Sequence, residues 1–314
     1  MIGINLPHSQ HLDLTLFCPV AAAPCGSGSD VVLDHLAALS SLSPQKCNAG
    51  EDQMTPGDPI LLSRLQDGLL TLTLNRPDAR NALSRALMSA LEDALEQAAA
   101  SSEVRVVVLA ANGPAFCAGH DLREMRADPS LASCEALFTQ CSRLMTRLVR
   151  LPQPVIARVQ GMATAAGCQL VASCDLALAG DSARFATPGV AIGLFCSTPM
   201  VALSRAVGRK KALEMLFTGH PVSAAEALTH GLVNAVVPDA TLEAETQALA
   251  REIAAKSPLT LRLGKAAFYR QLEMPLDDAY AYASAIMTRN MMAEDAREGI
   301  DAFLEKRPAV WRGV

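Results

Sequence analysis

The stretch that most constrains this chain runs from Pro154 to Pro199. At its centre AAGCQLVAS (165–173) predicts a short helix that is apolar almost all round. A helix without a polar face belongs inside a protein, so the rest of the chain must cover it on every side. Val155–Val159 before it reads as a buried strand and Leu176–Ala179 after it as a second one. A loop punctuated by Gly and Pro follows. The turn into the helix is built of Ala and Gly, which leaves backbone N–H groups free and lets a ligand come close. An oxygen carrying developing negative charge fits there, so this is the expected chemical centre.

Composition excludes several classes. The chain has 314 residues, half of them hydrophobic, enough for one large α/β core with a smaller appendage. A net charge of −5 argues against a general nucleic-acid footprint, and no basic run suggests a membrane-surface patch. No apolar segment is long enough to span a bilayer. The nine cysteines are scattered and lack metal-ligand spacing, which predicts reduced thiols, a cytoplasmic location and no metal site.

Residues 1–53 differ from the rest, mixing Pro, Gly and Ser with no Lys or Arg before Lys46. They fit neither a secretory signal nor an Arg-rich presequence. Two readings stand: a disordered extension, or a start placed too early, with Met54 as the true one. Order begins at Ile60. ILLSRL and LLTLTLN predict a hairpin across Gln66-Asp67-Gly68. Ser84 caps a helix through about Ala99, and 104–111 (VRVVVLAA) is a strand of the kind buried on both faces. Phe116–Met125 runs from a turn into a helix, and 126–151 is helical. Two more helices cover Thr198–Val207 and Lys211–Phe217. Ser223 to Glu226 forms a capping box, and VNAVV (233–237) is a strand. From Thr241 the chain reads as helices broken at Ser257-Pro258 and Met274-Pro275. The alternation predicts an α/β core over 54–240 and a C-terminal helical subdomain over 241–314.

GMATAAGCQLVASCDLALAGDSARFATPGVAIGLF, LNRPDARNALS (74–84), PAFCAGHDLREM (114–125) and the tail GIDAFLEKRPAVW (299–311) resemble the enoyl-CoA hydratase/isomerase (crotonase) superfamily, in consistent order over about 58–312. In detail the chain looks most like a branch that lacks the family's usual catalytic acids. The resemblance implies a spiral of ββα units, an acyl-CoA substrate, no cofactor beyond its coenzyme A, and homotrimers often paired into hexamers. It also implies an oxyanion hole formed by the N–H groups of His120 and Ala166.

Hydratases of the family use two glutamates, and the matching positions are Gln169 and Gly189. An amide does not titrate near neutrality and glycine has no side chain, so neither can move a proton. His120 is the candidate stand-in, weighed against a His that merely lines the pocket. Gln169 either orients a water or polar acyl group, or only fills helix packing. Cys196 should lie near the acyl pocket as a small buried hydrophobe. Asp121 and Asp175 read as turn and cap residues, and Glu124 as part of a solvated helix face. For coenzyme A, the resemblance assigns Asp78, Ala79 and Arg80 to the adenosine and a phosphate. Phe303 and Lys306 would serve a neighbouring subunit's nucleotide. Two functions from different classes remain open: an acyl-CoA enzyme working through oxyanion stabilisation, and a non-catalytic acyl-CoA-binding or assembly protein. Replacing Gln169 and Gly189 together by Glu would separate them.

Overall fold

The computed structural model describes residues 59–314. The expectations for residues 1–53 and Met54 lie outside them. Asp67 and Gly68 both take positive φ, 51° and 79°, and close the hairpin of β1 (Leu61–Gln66) and β2 (Leu69–Leu74). That backbone pair matches the right-handed twist of the two strands. Ser84 caps α1 (Arg85–Ala100), its side chain accepting from Leu87 N at 3.2 Å. Strand β3 (Val106–Ala111) then lies parallel to β2.

From β3 onward three successive turns of the chain give one strand to each of two sheets, then helix; in the fourth, the second sheet's strand and a helix precede the strand of the first sheet. Strands β3, β5 (Val155–Val159), β7 (Leu176–Gly180) and β10 (Ala235–Val237) extend the hairpin into a six-stranded sheet ordered β1-β2-β3-β5-β7-β10. All its pairings beyond the hairpin are parallel. Strands β4 (Ala115–Cys117), β6 (Met162–Thr164), β8 (Arg184–Ala186) and β9 (Val222–Ser223) make a second sheet, ordered β4-β6-β8-β9. This is the ββα spiral that the resemblance implies.

The continuous apolar run of β3 is explained by the two faces it serves. Val107 and Leu109 join the core with α1, α3 (Leu131–Arg150) and α4 (Ala166–Ser173). Val106 and Val108 join Ile156, Leu178, Leu242 and Ala250 under α8 (Leu242–Ala254) on the other face. Strands covered on both faces need no alternation.

Helices α5 (Ser197–Ala206), α6 (Arg209–Thr218) and α7 (Ala224–Thr229) complete the core, and α7 opens with the expected box between Ser223 and Glu226. The tail adds α9 (Pro258–Gln271), α10 (Leu276–Met291) and α11 (Glu294–Glu305).

Several expectations need correction. The central helix starts at Ala166, with Ala165 before it as the N-cap. The turns before it and before α2 (Leu122–Ala127) contain the short strands β6 and β4. The helix expected over 126–151 is broken at Asp128–Ser130, where Ser130 caps α3 through Ser133 N. The tail has a third break, at Met292-Ala293, without Gly or Pro.

Candidate active site

Two segments meet at the start of α4. A Cβ added at Gly119 would stand 2.9 Å from Ala165 Cβ, 3.0 Å from Thr164 O and 3.3 Å from Ala166 N, so the 118–120 loop runs directly against the helix entry. Gly167 presses just as closely on β4, since a Cβ there would collide with the Cys117 carbonyl. Ala165 holds the turn at φ 50° and ψ −116°, a conformation alanine rarely takes and one that costs roughly 1–3 kcal/mol. Its N–H donates to Ala186 O at 2.9 Å, tying the turn to β8.

The loop is pinned from the other side. Ala118 N donates to Arg80 O (3.0 Å), Leu83 N to Gly119 O (2.7 Å) and Asp121 N to Leu83 O (3.3 Å). The His120 N–H, between these, takes no partner among the described residues. Ala166 opens α4, so its N–H has no carbonyl one turn back to bond. The structure thus brings these two free donors onto segments in van der Waals contact.

The side chains divide sharply. Both ring nitrogens of His120 are sealed from water and lack a hydrogen-bond partner, as does the hydroxyl of the fully buried Thr187. The His120 ring meets Phe138 of α3 edge-on, with centroids 5.7 Å apart. Burial pulls its pKa below the usual 6.5, against the opposing pull of the Leu83 carbonyl and Glu124. Gln169 is buried, and its Oε1 accepts from the Cys141 thiol at 3.8 Å. Phe138 and Cys141 are one turn apart on α3, so His120 and Gln169 meet the same helix one turn apart. Thr187 escaped the sequence reading. Its one available signal was its place directly after β8, next to the turn that β8 pairs with.

Gly189 lies in a 3-10 turn, Pro188–Ile192, and has no room for a side chain. A Cβ there would stand 2.5 Å from Leu194 O and 2.9 Å from Cys196 Sγ. The double-glutamate variant would therefore break the loop, and only Gln169→Glu remains usable. Cys196 is the buried small residue expected; burial raises its thiol pKa, and it raises those of Cys117 and Cys168 to about 12.

Two acids were misread. Asp175 does more than turn the chain: its carboxylate accepts from Lys265 Nζ (2.6 Å), Tyr269 OH (2.9 Å) and Val155 N (2.7 Å), joining α9 to the exit of α4 and the start of β5. Glu124 is engaged, accepting from Arg85 N at 3.0 Å and pairing with the Arg85 guanidinium. Asp121 caps α2 as expected and also binds Arg76 at 3.0 Å.

The residues that the resemblance assigns to coenzyme A are split. Asp78 and Ala79 form a 3-10 turn with Pro77, and Arg80 follows it in the left-handed region, its side chain exposed. Arg80 O reaches the site through Ala118 N. Phe303, 83% exposed, and Lys306, the left-handed residue ending α11, lie in the C-terminal helices.

The sequence profile of the enoyl-CoA hydratase/isomerase family matches residues 64–314. The chain belongs to this family. Enoyl-CoA hydratase domain-containing protein 3, mitochondrial, of Mus musculus is 49% identical over 81% of this chain and 85% of its own length. The 2,3-dehydroadipyl-CoA hydratase of Escherichia coli (strain K12) is 40% identical over 81% of this chain and 98% of its own. Among solved structures, an enoyl-CoA hydratase of Mycobacterium smegmatis is 56% identical with a TM-score of 0.79, covering 81% of this chain and 99% of that one. Human enoyl Coenzyme A hydratase domain-containing protein 3 gives the same TM-score at 49% identity, covering 81% and 100%. The family's crotonase fold is the ββα spiral described above. Among the described residues, no helix of this family member is long and apolar enough to cross a membrane.

Proposed function

We propose that this chain binds an acyl-CoA thioester and stabilises negative charge on the thioester oxygen through the N–H groups of His120 and Ala166. The observation that carries this reading is the pair of unpartnered N–H groups on two segments locked together at Gly119 and Ala166. In comparable sites each such donor is worth roughly 3–4 kcal/mol of transition-state stabilisation. The substrate class is supported by relatives whose names place them on CoA thioesters. Coenzyme A enters as part of the substrate, and no other cofactor is invoked. Asp78, Ala79 and Arg80 would meet its adenosine and a phosphate, while Phe303 and Lys306 would meet the nucleotide bound by a neighbouring copy. A homotrimer or hexamer fits the exposed apolar stripe of α10, where Leu276, Tyr280, Met287 and Met291 recur on one face. The free thiols Cys117, Cys141, Cys168 and Cys174 fit a reducing compartment, cytoplasmic or mitochondrial, the latter named in the animal relatives.

A second reading, a non-catalytic acyl-CoA-binding or assembly protein, is favoured by Gln169 and by the filled space beside Gly189. Purified protein titrated with butyryl-CoA and assayed for hydration of crotonyl-CoA and a longer 2-enoyl-CoA separates the two. Measurable binding with hydration slowed by about 10²–10⁴ for each lost proton-transfer role supports the first reading. Binding with no turnover of any thioester supports the second.

A further inference from the structure

Arg80 and Asn81 both take left-handed backbone, at φ 49° and 54°. Outside glycine such backbone is uncommon, and it persists only where the surroundings fix it. Here the fixing is visible. Asn81 is fully buried; its Oδ1 accepts from Arg76 N, and its Nδ2 donates to Asn112 O and Ala115 O, each at 2.8 Å. Residues 80–83 are thereby held to the end of β3 and the start of β4.

That segment is what the 118–121 loop leans on. Leu83 and His120 form an isolated parallel bridge, in which Leu83 bonds Gly119 O and Asp121 N, the groups on either side of His120. The His120 N–H therefore turns away from Leu83, and its direction follows from how the two segments lie on each other. One side chain spans both. Arg76 sends one guanidinium nitrogen to Ala82 O and another to the Asp121 carboxylate, the second at 3.0 Å. Asp121 takes this pair on Oδ2 while its Oδ1 caps α2 through Arg123 N (3.1 Å) and Glu124 N (3.4 Å). The two side chains are 22% and 17% exposed, so solvent screens the pair little. An arginine fork is planar and rigid, and with an anchor on each segment it sets their spacing.

We propose that Arg76 is a positioning residue: through Ala82 and Asp121 it holds the His120 N–H at the angle that lets one thioester oxygen meet both this donor and the Ala166 N–H. This rests on the acyl-CoA reading above. In this role Arg76 acts through the donor and need not touch the acyl group. A donor aimed beforehand stabilises developing charge without reorganising, and a displacement of about 1 Å can cost about 100-fold.

The test is the carbonyl resonance of butyryl-CoA labelled with carbon-13 at that carbon, read free and bound, beside affinity by calorimetry and melting temperature. Two donors on the oxygen polarise the C=O bond, so wild-type protein should move the bound resonance downfield of the free one. Arg76→Met keeps the stem and removes the donors. Asp121→Asn is the milder change, since its one oxygen can occupy the cap position or the Arg76 position but not both. Each should lose about half of the displacement while binding within about tenfold of wild type. Arg143→Met, which breaks a comparable pair with Glu92 between α3 and α1, should keep all of it. A full displacement in either folded variant, an equal loss in Arg143→Met, or loss of binding by both variants with the fold intact would overturn the proposal and leave the acyl-CoA reading standing. Wild-type binding with no displacement would overturn the oxyanion site and this proposal together. No butyryl-CoA binding by the wild type would overturn the acyl-CoA reading itself.

Discussion

Helices α4 and α10 show two ways of using apolar residues. Seven of the eight residues of α4 are buried within one chain. Of the sixteen residues of α10 only Ala279 is buried, while Leu276, Tyr280 and Met287 are 71%, 69% and 64% exposed. Burying a side chain of that size is worth roughly 1.5–3 kcal/mol, so α4 is finished by its own chain and α10 is not. Its stripe is left open among the described residues. The contrast separates what encloses the helix entry from what would join copies, and α9, whose Lys265 and Tyr269 bind Asp175 at the exit of α4, packs on α10.

The comparison can be broken at its tightest point first. Gly167→Ala places a Cβ against the Cys117 carbonyl, and because backbone must move, a loss above about 3 kcal/mol is expected in urea denaturation. Next, Lys265→Met leaves Asp175 with Tyr269 and Val155 N but no cation. A loss of about 3 kcal/mol is expected, at the low end for breaking a buried pair. On α10, Tyr280→Asp with Met287→Glu should reduce the mass seen by light scattering to that of a single chain, with the far-ultraviolet spectrum of the core unchanged. Unaltered mass would mean that the stripe is covered in some other way.

The smallest effect is that of pH. His120 has a folded pKa below 6.5, so between the two values the unfolded chain binds a proton that the folded chain does not. Stability therefore falls as pH drops below about 6.5, and is unaffected by this group above it. Melting temperatures from pH 7.5 to 5.5 should fall more steeply for wild type than for His120→Gln.

Much of the fold was legible because its signals are local. Asp67-Gly68 sets its own turn, Ser84 and Ser223 cap helices within three residues, and β3 carries an apolar run long enough to read. The second sheet was not legible: its strands are two or three residues long, too short for any period to show. Nor did the break before α11 have a Gly or Pro to mark it. At the site, the positions of His120, Ala166 and Gln169 came from motifs, but the fates of Asp175 and Glu124 depend on partners 90 and 39 residues away. No window along the chain contains such pairs.

The packing of Leu194 and Cys196 over Gly189 bears on the history open to this lineage. A single codon change that placed an acid at that position would first damage the loop, and selection would remove it for misfolding before any gain in turnover could be tested. Room for such an acid needs the Leu194 backbone to move as well as a change at Cys196, and neither confers an advantage by itself. A glutamate at 189 is, for this chain, closed off by its own neighbours.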